Sequence, residues 1–487
     1  MTDHILVLDA GTTSTRAMLF DAHGKMLRVS QSDLTQHYPR PGWAEHDAGE
    51  IWDKTLQCMR EAAGEDAGAI AAIGITNQRE TVVAWDKRTA EPLANAIVWQ
   101  DRRTANVCAR LKEAGHEPDV QRRTGLLLDP YFSATKMYWL LENDEAVRGA
   151  SEAGTLAFGT VESWLAFKLS GGTHISDASN ASRTLLLELD GTSFDEDLCE
   201  LFGVPHASLP HVVDTHGELA IGKAEWLGRD IPICGMVGDQ QSATIGQGCI
   251  SFGQTKATYG TGAFILTNKG TDVPRSDNRL LSTVLHQSGG KRTYALEGAC
   301  FVAGSLIQYL RDTLGLVDSA EQTEELARSI EDSGEVVIVP GLAGLGAPHW
   351  QPEARGVIAG LSFASGKAQI VRAALEAMAH QTHDLATAYA ADGAPWTALK
   401  IDGGMSANDW MAQDLADILD LEVERPDFVE TTALGAAICA ATGAGVHGSL
   451  EEAADSMRGA TSTFEPSMDR DVREARLDRY ARALCAA

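Results

Sequence analysis

The chain has 487 residues, 44% of them hydrophobic and 22% charged, a globular composition long enough for two large domains and too apolar for disorder as the default state. Its formal net charge of −28 repels nucleic acid phosphates and anionic lipid headgroups, so neither is expected as a partner. Eight cysteines without C-x-x-C spacing read as reduced thiols; with no secretion signal, and no apolar run near the roughly 20 residues that span a bilayer, the expected location is the cytoplasm.

The chain opens with an apolar run, Ile5-Leu-Val-Leu-Asp9, a turn at Ala10 to Ser14 and a second run, Thr15 to Phe20. A further turn, Asp21-Ala-His-Gly24, leads to Lys25 through Ser30, which predicts an antiparallel meander. Asp47 with Glu50 three residues later predicts a capping box, followed by a helix with Trp52, Leu56, Met59 and Ala63 at helical spacing up to Gly64. Ile70 to Ile75 is a nearly unbroken apolar run, expected to be a strand buried on both faces, and it ends in Thr76-Asn-Gln-Arg-Glu80. Polar residues at the end of a buried strand are well placed for a site.

Further on, Ile231 to Val237 runs into Gly238-Asp-Gln-Gln241, and Gln254 to Thr267 repeats the order strand, Gly/Thr turn, strand. This is a weak internal repeat, with a boundary placed near residue 247, giving 1–247 as the substrate and phosphate side and 248–487 as the nucleotide side. The later half alternates: Ala368 to Ala390 is helical by pattern, Leu399 to Asp402 is a short strand, and Thr432 to Thr442 is a small-residue helix. An α/β fold in each half follows.

The motifs each carry a bland alternative. Asp9-Ala-Gly-Thr-Thr-Ser-Thr-Arg16 supplies a glycine, hydroxyl donors and one cation, as a polyphosphate requires, or it is an ordinary tight hairpin. It is not a P-loop, because the turn runs into a strand. Tyr259-Gly-Thr-Gly-Ala-Phe264 repeats the pattern, and two such turns across a cleft would hold phosphates from both sides. Asp402-Gly-Gly-Met-Ser-Ala-Asn408 is either a flat surface for a nucleoside or a turn capped by Ser406 or Asn408. Asp239 is either a helix N-cap or the carboxylate that takes the proton of an attacking hydroxyl, with Asp9 sharing Mg²⁺ through water. Arg79 and Glu80 offer donors and acceptors to a neutral polyol, or form a surface ion pair. Trp99, Tyr131 and Phe264 wall a small pocket or belong to the core, and His380 with His383 is read as structural.

In order along the chain, these segments, together with Ile97-Val-Trp-Gln100, Asp129-Pro-Tyr-Phe-Ser133, Asn180-Ala-Ser-Arg-Thr184 and Gly344-Leu-Gly-Ala-Pro348, resemble the FGGY carbohydrate kinases. The resemblance spans essentially the whole chain. It implies two actin-like, ribonuclease H-like α/β domains with a catalytic cleft between them, and phosphoryl transfer from ATP to a small polyol, glycerol first among the candidates. It implies that Arg79, Glu80, Trp99, Tyr131, Asp239, Gln240 and Phe264 hold the acceptor, with Asp239 as base. It assigns the nucleotide to Thr12, Thr13, Ser14, Arg16, Thr261, Gly304, Gln308, Gly404 and Asn408, and by analogy a homodimer or homotetramer to the assembly; Mg²⁺ at Asp9 and Asp239, through water, is expected from their hard oxygen ligands. Leu219 to Trp226 lacks the Gly-Gly-Lys-Gly-Gly-like run through which some members bind fructose bisphosphate, and His216 is not placed as a phosphorylated histidine would be, so neither control is expected. A sugar kinase, a non-enzymatic nucleotide switch and a metabolite sensor are the competing readings, and polyol-dependent ADP release separates them.

Overall fold

In the computed structural model, which describes residues 3–351 and 353–487, two sheets organise the chain. The first contains β1 (His4–Ala10), β2 (Ser14–Phe20), β3 (Met26–Asp33), β4 (Ile70–Asn77), β5 (His216–Gly222) and β6 (Ile231–Gly238), in the order β5-β6-β4-β1-β2-β3. Strands β1, β4 and β6 are parallel, and β2, β3 and β5 run antiparallel to their neighbours. Because successive side chains of a strand point to opposite faces, β1 sends Leu6 and Leu8 to one face and Ile5 and Val7 to the other, and both faces are buried. That is why the central strands read as unbroken apolar runs.

One face is covered by α1 (Ala48–Ala63) and α2 (Val161–Ser170). Asp47 caps α1 by accepting from the amides of Gly49 and Glu50. The expected capping box is not completed, because the Glu50 carboxylate turns away to the Thr35 amide (3.1 Å) and hydroxyl (2.8 Å) and to Lys54. A charged partner and a hydroxyl hold that carboxylate better than one backbone amide. Between β4 and β5 lies an insertion with its own core, including Val82, Phe132, Met137, Phe158 and Leu185.

The second sheet contains β7 (Thr255–Tyr259), β8 (Ala263–Gly270), β9 (Leu281–Ser288), β10 (Lys291–Cys300), β11 (Ala398–Asp402), β12 (Glu422–Pro426) and β13 (Thr461–Phe464), in the order β9-β10-β8-β7-β11-β12-β13. Its run β10-β8-β7-β11-β12 repeats the run β3-β2-β1-β4-β6 of the first sheet: an antiparallel trio joined to two parallel strands. The molecule is therefore a two-domain mixed α/β fold of actin-like architecture.

Helix α3 (Asp239–Gly246) leads out of β6, α4 (Lys367–Ala391) and α5 (Asp409–Leu419) pack on the second sheet, and α6 (Thr431–Gly443) returns to the first. Ala433, Ala436, Ala437 and Ala440 of α6 lie in one core with Ile5, Val7, Ala72 and Val237. A cut at residue 247 thus separates the two sheets but leaves α6 on the far side of the cut from the strands it covers. Where α3 and α6 cross, a Cβ on Gly435 would sit 1.8 Å from the Ser242 carbonyl oxygen, so only glycine permits this contact. All eight cysteines are free thiols, seven of them buried. Among the described residues no helix is long and apolar enough to cross a membrane.

Candidate active site

Parallel strands end at one edge, and three of them bring their polar C-terminal residues together there. Asp9 pairs in register with Thr76 on β4, which pairs with Val237 on β6, so Asp9, Gln78 to Glu80, and Asp239 emerge side by side. Gly238 takes the N-cap position of α3, leaving Asp239 as the first residue of the helix rather than its cap. The Asp239 side chain is about a third exposed, accepts from the Gln240 amide (2.7 Å) and lies 3.1 Å from Arg79 Nε. Withdrawal from water pushes its carboxyl up to about 6, against the opposing pull of Arg79.

Arg79 is the hub of a buried ion cluster rather than half of a surface pair. Its guanidinium meets Glu297 through two nitrogens (2.5 and 3.2 Å), the Tyr131 hydroxyl (3.3 Å) and Gln241 Oε1 (3.3 Å), besides Asp239. Arg183, also fully buried, donates to Glu80 Oε1 (2.6 Å) and to Glu297 Oε1 (2.9 Å). The two guanidinium groups hold the Glu297 carboxyl down at about 2 although burial alone would raise it. Glu80 adopts a left-handed backbone (φ 63°), a conformation costing a non-glycine residue about 1 kcal/mol or more. Its carbonyl is held by Ser133 Oγ (3.1 Å) and by the buried Lys136 ammonium (3.3 Å).

Trp99, Tyr131 and Phe264 come together as an aromatic wall. The Trp99 ring lies 5.7 Å from Tyr131 and 6.4 Å from Phe264, both edge to face, and its Nε1 donates to Thr12 Oγ1 (2.9 Å). Phe264 belongs to the second sheet, so the wall spans the cleft. The Thr12, Thr13 and Ser14 turn joins β1 to β2 and is tied by the Gly11 amide to the Ser14 carbonyl (3.0 Å). Arg16 is clasped between Asp9 and Glu430 (2.6 Å to the latter). Burial lifts the Asp9 carboxyl above its ordinary value while Arg16 pulls it down.

On the other side, Tyr259, Thr261, Gly304, Gln308, Gly404 and Asn408 line one cavity of about 410 Å³. Gly403, with φ 87°, lets the chain pass the Tyr259 backbone, where a Cβ would stand 2.5 Å from the carbonyl oxygen. Asn408 also caps α5 by accepting from the Met411 amide (2.9 Å), so its capping role and its place in the cavity wall coexist. His380 is buried and stacked on Tyr480 at 4.9 Å, away from these groups.

Among the described residues no three His, Cys, Asp or Glu side chains are grouped to hold a metal ion. Asp9 on β1 and Asp239 at the start of α3 lie on either side of β4. That arrangement suits an ion such as Mg²⁺, which keeps most of its water and needs only one or two carboxylates besides phosphate oxygens.

Sequence reasoning assigned no role to Arg183, Glu297, Lys256 and Glu430. Glu297 had a signal: a lone acid inside Thr293-Tyr-Ala-Leu-Glu-Gly-Ala-Cys300, an otherwise buried strand, demands a cation from elsewhere in the fold. Lys256 on β7 carries the same signal with the opposite sign.

The FGGY family of carbohydrate kinases, N-terminal domain, matches residues 4–246, and its C-terminal domain matches residues 255–444. A glycerol kinase of Rhodospirillum rubrum is 53% identical over 450 residues, 91% of each chain. The crystal structure of Plasmodium falciparum glycerol kinase with ADP superposes with a TM-score of 0.94 at 33% identity, covering 100% of this chain and 98% of that one. A gluconate kinase from Lactobacillus acidophilus, at 22% identity and a TM-score of 0.88 over 99% of this chain and 97% of that one, shares the fold alone. With both domain models matched and half of the sequence shared with such a relative, the chain belongs to the FGGY family of carbohydrate kinases.

Proposed function

We propose that the protein transfers the terminal phosphoryl group of ATP to a primary hydroxyl of glycerol, giving glycerol 3-phosphate and ADP. The observation that carries this reading is the partly exposed Asp239 carboxylate in the interdomain cleft, 3.1 Å from Arg79, whose guanidinium also donates to Tyr131 of the aromatic wall. A neutral polyol presents hydroxyls to polar groups and carbon to aromatic rings, and this site offers both. The relatives named glycerol kinase support the choice of acceptor.

Asp239 orients the attacking hydroxyl and accepts its proton as the new P–O bond forms and the bond to the ADP oxygen breaks. Thr12, Thr13, Ser14 and Arg16 on one side, and Thr261 with Gly304 on the other, face the phosphates. Gln308, Gly404 and Asn408 wall the nucleoside cavity. Asp9 and Asp239 would hold Mg²⁺ through water, and the ion would supply charge neutralisation at the phosphates. Arg79, Glu80 and Gln240 fix the acceptor, and closure of the cleft excludes the water that competes with it.

The reading places the reaction in the cytoplasm, consistent with seven buried free thiols. It includes a homo-oligomer, for which the exposed apolar residues Leu342, Ile358, Leu361 and Phe363 along one stretch of chain are the support; light scattering should find more than one chain per particle. The deciding assay is ADP release from Mg-ATP with glycerol, xylulose, gluconate or erythritol. Strong stimulation by glycerol is expected, and stimulation only by another acceptor would reassign the substrate.

A further inference from the structure

Lys256 stands on β7 of the second sheet, is wholly buried, and reaches across to the first domain. Its ammonium donates to Gln240 Oε1 at 2.7 Å and to Thr258 Oγ1 at 2.9 Å. Burial lowers its pKa to about 8, which leaves it mainly a cation at neutral pH, and Asp402, Asp239 and Glu297 nearby favour that charge while Arg79 opposes it. A lysine ammonium is a donor only, so the side of the Gln240 amide that faces it must be the oxygen. The other end, Nε2, donates to no protein atom among the described residues.

From this geometry we infer that Lys256 is a positioning residue that orients the Gln240 amide of the acceptor pocket: it consumes Gln240 Oε1 and leaves Nε2 as the free donor end of the residue that follows Asp239. The inference rests on the reading of this cleft as the polyol site. A polyol then meets a carboxylate acceptor and an amide donor from consecutive residues at the start of α3. The hydroxyl at Asp239 gives up a proton, and a second oxygen of the same molecule must accept one from Gln240. An alcohol lacking that oxygen leaves the amide hydrogen without a partner, which is how a buried polar group rejects an analogue of the right size. Without Lys256 nothing holds the amide in place, its hydrogen bond to that oxygen weakens, and the preference for alcohols that carry the oxygen narrows.

The test compares kcat and KM for glycerol, 1,2-propanediol and 1,3-propanediol in the wild-type protein and in Lys256→Met. All three acceptors are neutral, so loss of the lysine charge acts on them alike. Expected is a rise of about tenfold in KM for glycerol with a smaller fall in kcat, the size of one lost hydrogen bond. Expected too is a narrowing of about tenfold in the larger of the two glycerol-to-deoxy preferences. A purely structural lysine would depress kcat/KM for the three alcohols equally, and unchanged ratios overturn the inference. Gln240→Met provides a second arm if Lys256→Met does not fold: the side chain keeps its length but carries neither N–H nor oxygen, and the same narrowing is expected. Unmoved ratios there overturn the inference as well. A wild-type protein that phosphorylates no polyol overturns the reading of the cleft and, with it, this inference.

Discussion

At the scale of single residues, the chemistry rests on a carboxylate held near neutrality without being neutralised. Asp239 is drawn up toward 6 by its surroundings while Arg79 Nε at 3.1 Å keeps the charged form accessible. A base must be deprotonated to act, so kcat/KM for glycerol should fall on the acid side with a limb near pH 6 and level off above it. Asp239→Asn removes the base but keeps the shape, and should lower kcat by about 10²–10⁴ with little change in nucleotide affinity. Stopped-flow or coupled assays of ADP release measure the first, and nucleotide titration the second. A variant with near-normal turnover would remove Asp239 from this role.

At the scale of elements, the crossing of α3 and α6 decides how the domains meet. Thr431 to Gly443 is rich in alanine because its neighbours are backbone rather than side chain: the prospective Cβ of Gly246 lies 2.0 Å from the Thr431 oxygen, and that of Gly435 lies 1.8 Å from the Ser242 oxygen. Gly435→Ala should therefore push the helices apart and destabilise the protein by about 1–3 kcal/mol, as overpacking does. Thermal unfolding would register this as a lower Tm, and an unchanged Tm would mean that the crossing yields without cost. Because α3 begins with Asp239 and Gln240, the same variant should also lower turnover.

At the scale of the whole molecule, Glu297 ties the second domain to the first by pairing with Arg79 and Arg183. Removing one partner of a buried pair strands the others, so Glu297→Gln should cost about 3–5 kcal/mol in chemical denaturation. Since folding lowers this carboxyl from 4.5 to about 2, its stabilisation is complete above pH 4.5 and is lost as pH falls toward 2. The gap in stability between the wild-type protein and Glu297→Gln should close over that window. The net charge of −28 acts on the entire surface at once. Raising NaCl from about 10 mM to about 1 M shortens the screening length from about 30 Å to about 3 Å, and Tm should rise as the self-repulsion is relieved.

What was legible in the sequence is what depends on neighbours along the chain. The meander at Ile5 to Ser30, the buried run ending at Arg79 and Glu80, the run ending at Asp239, and the helices around Ala368 to Ala390 and Thr432 to Thr442 follow from periodicity and turn residues, and the strands and helices stand there. The Gly/Thr turns were legible as a pair because each is local. What only the tertiary structure decided are the pairings across long separations: Glu297 with Arg79 and Arg183, Lys256 with Gln240, Glu430 with Arg16, and α6 with the strands of the first sheet. A lone charge in an apolar strand announces that a partner exists, since its burial is costly, but which distant side chain supplies the opposite charge depends on how two sheets close on each other.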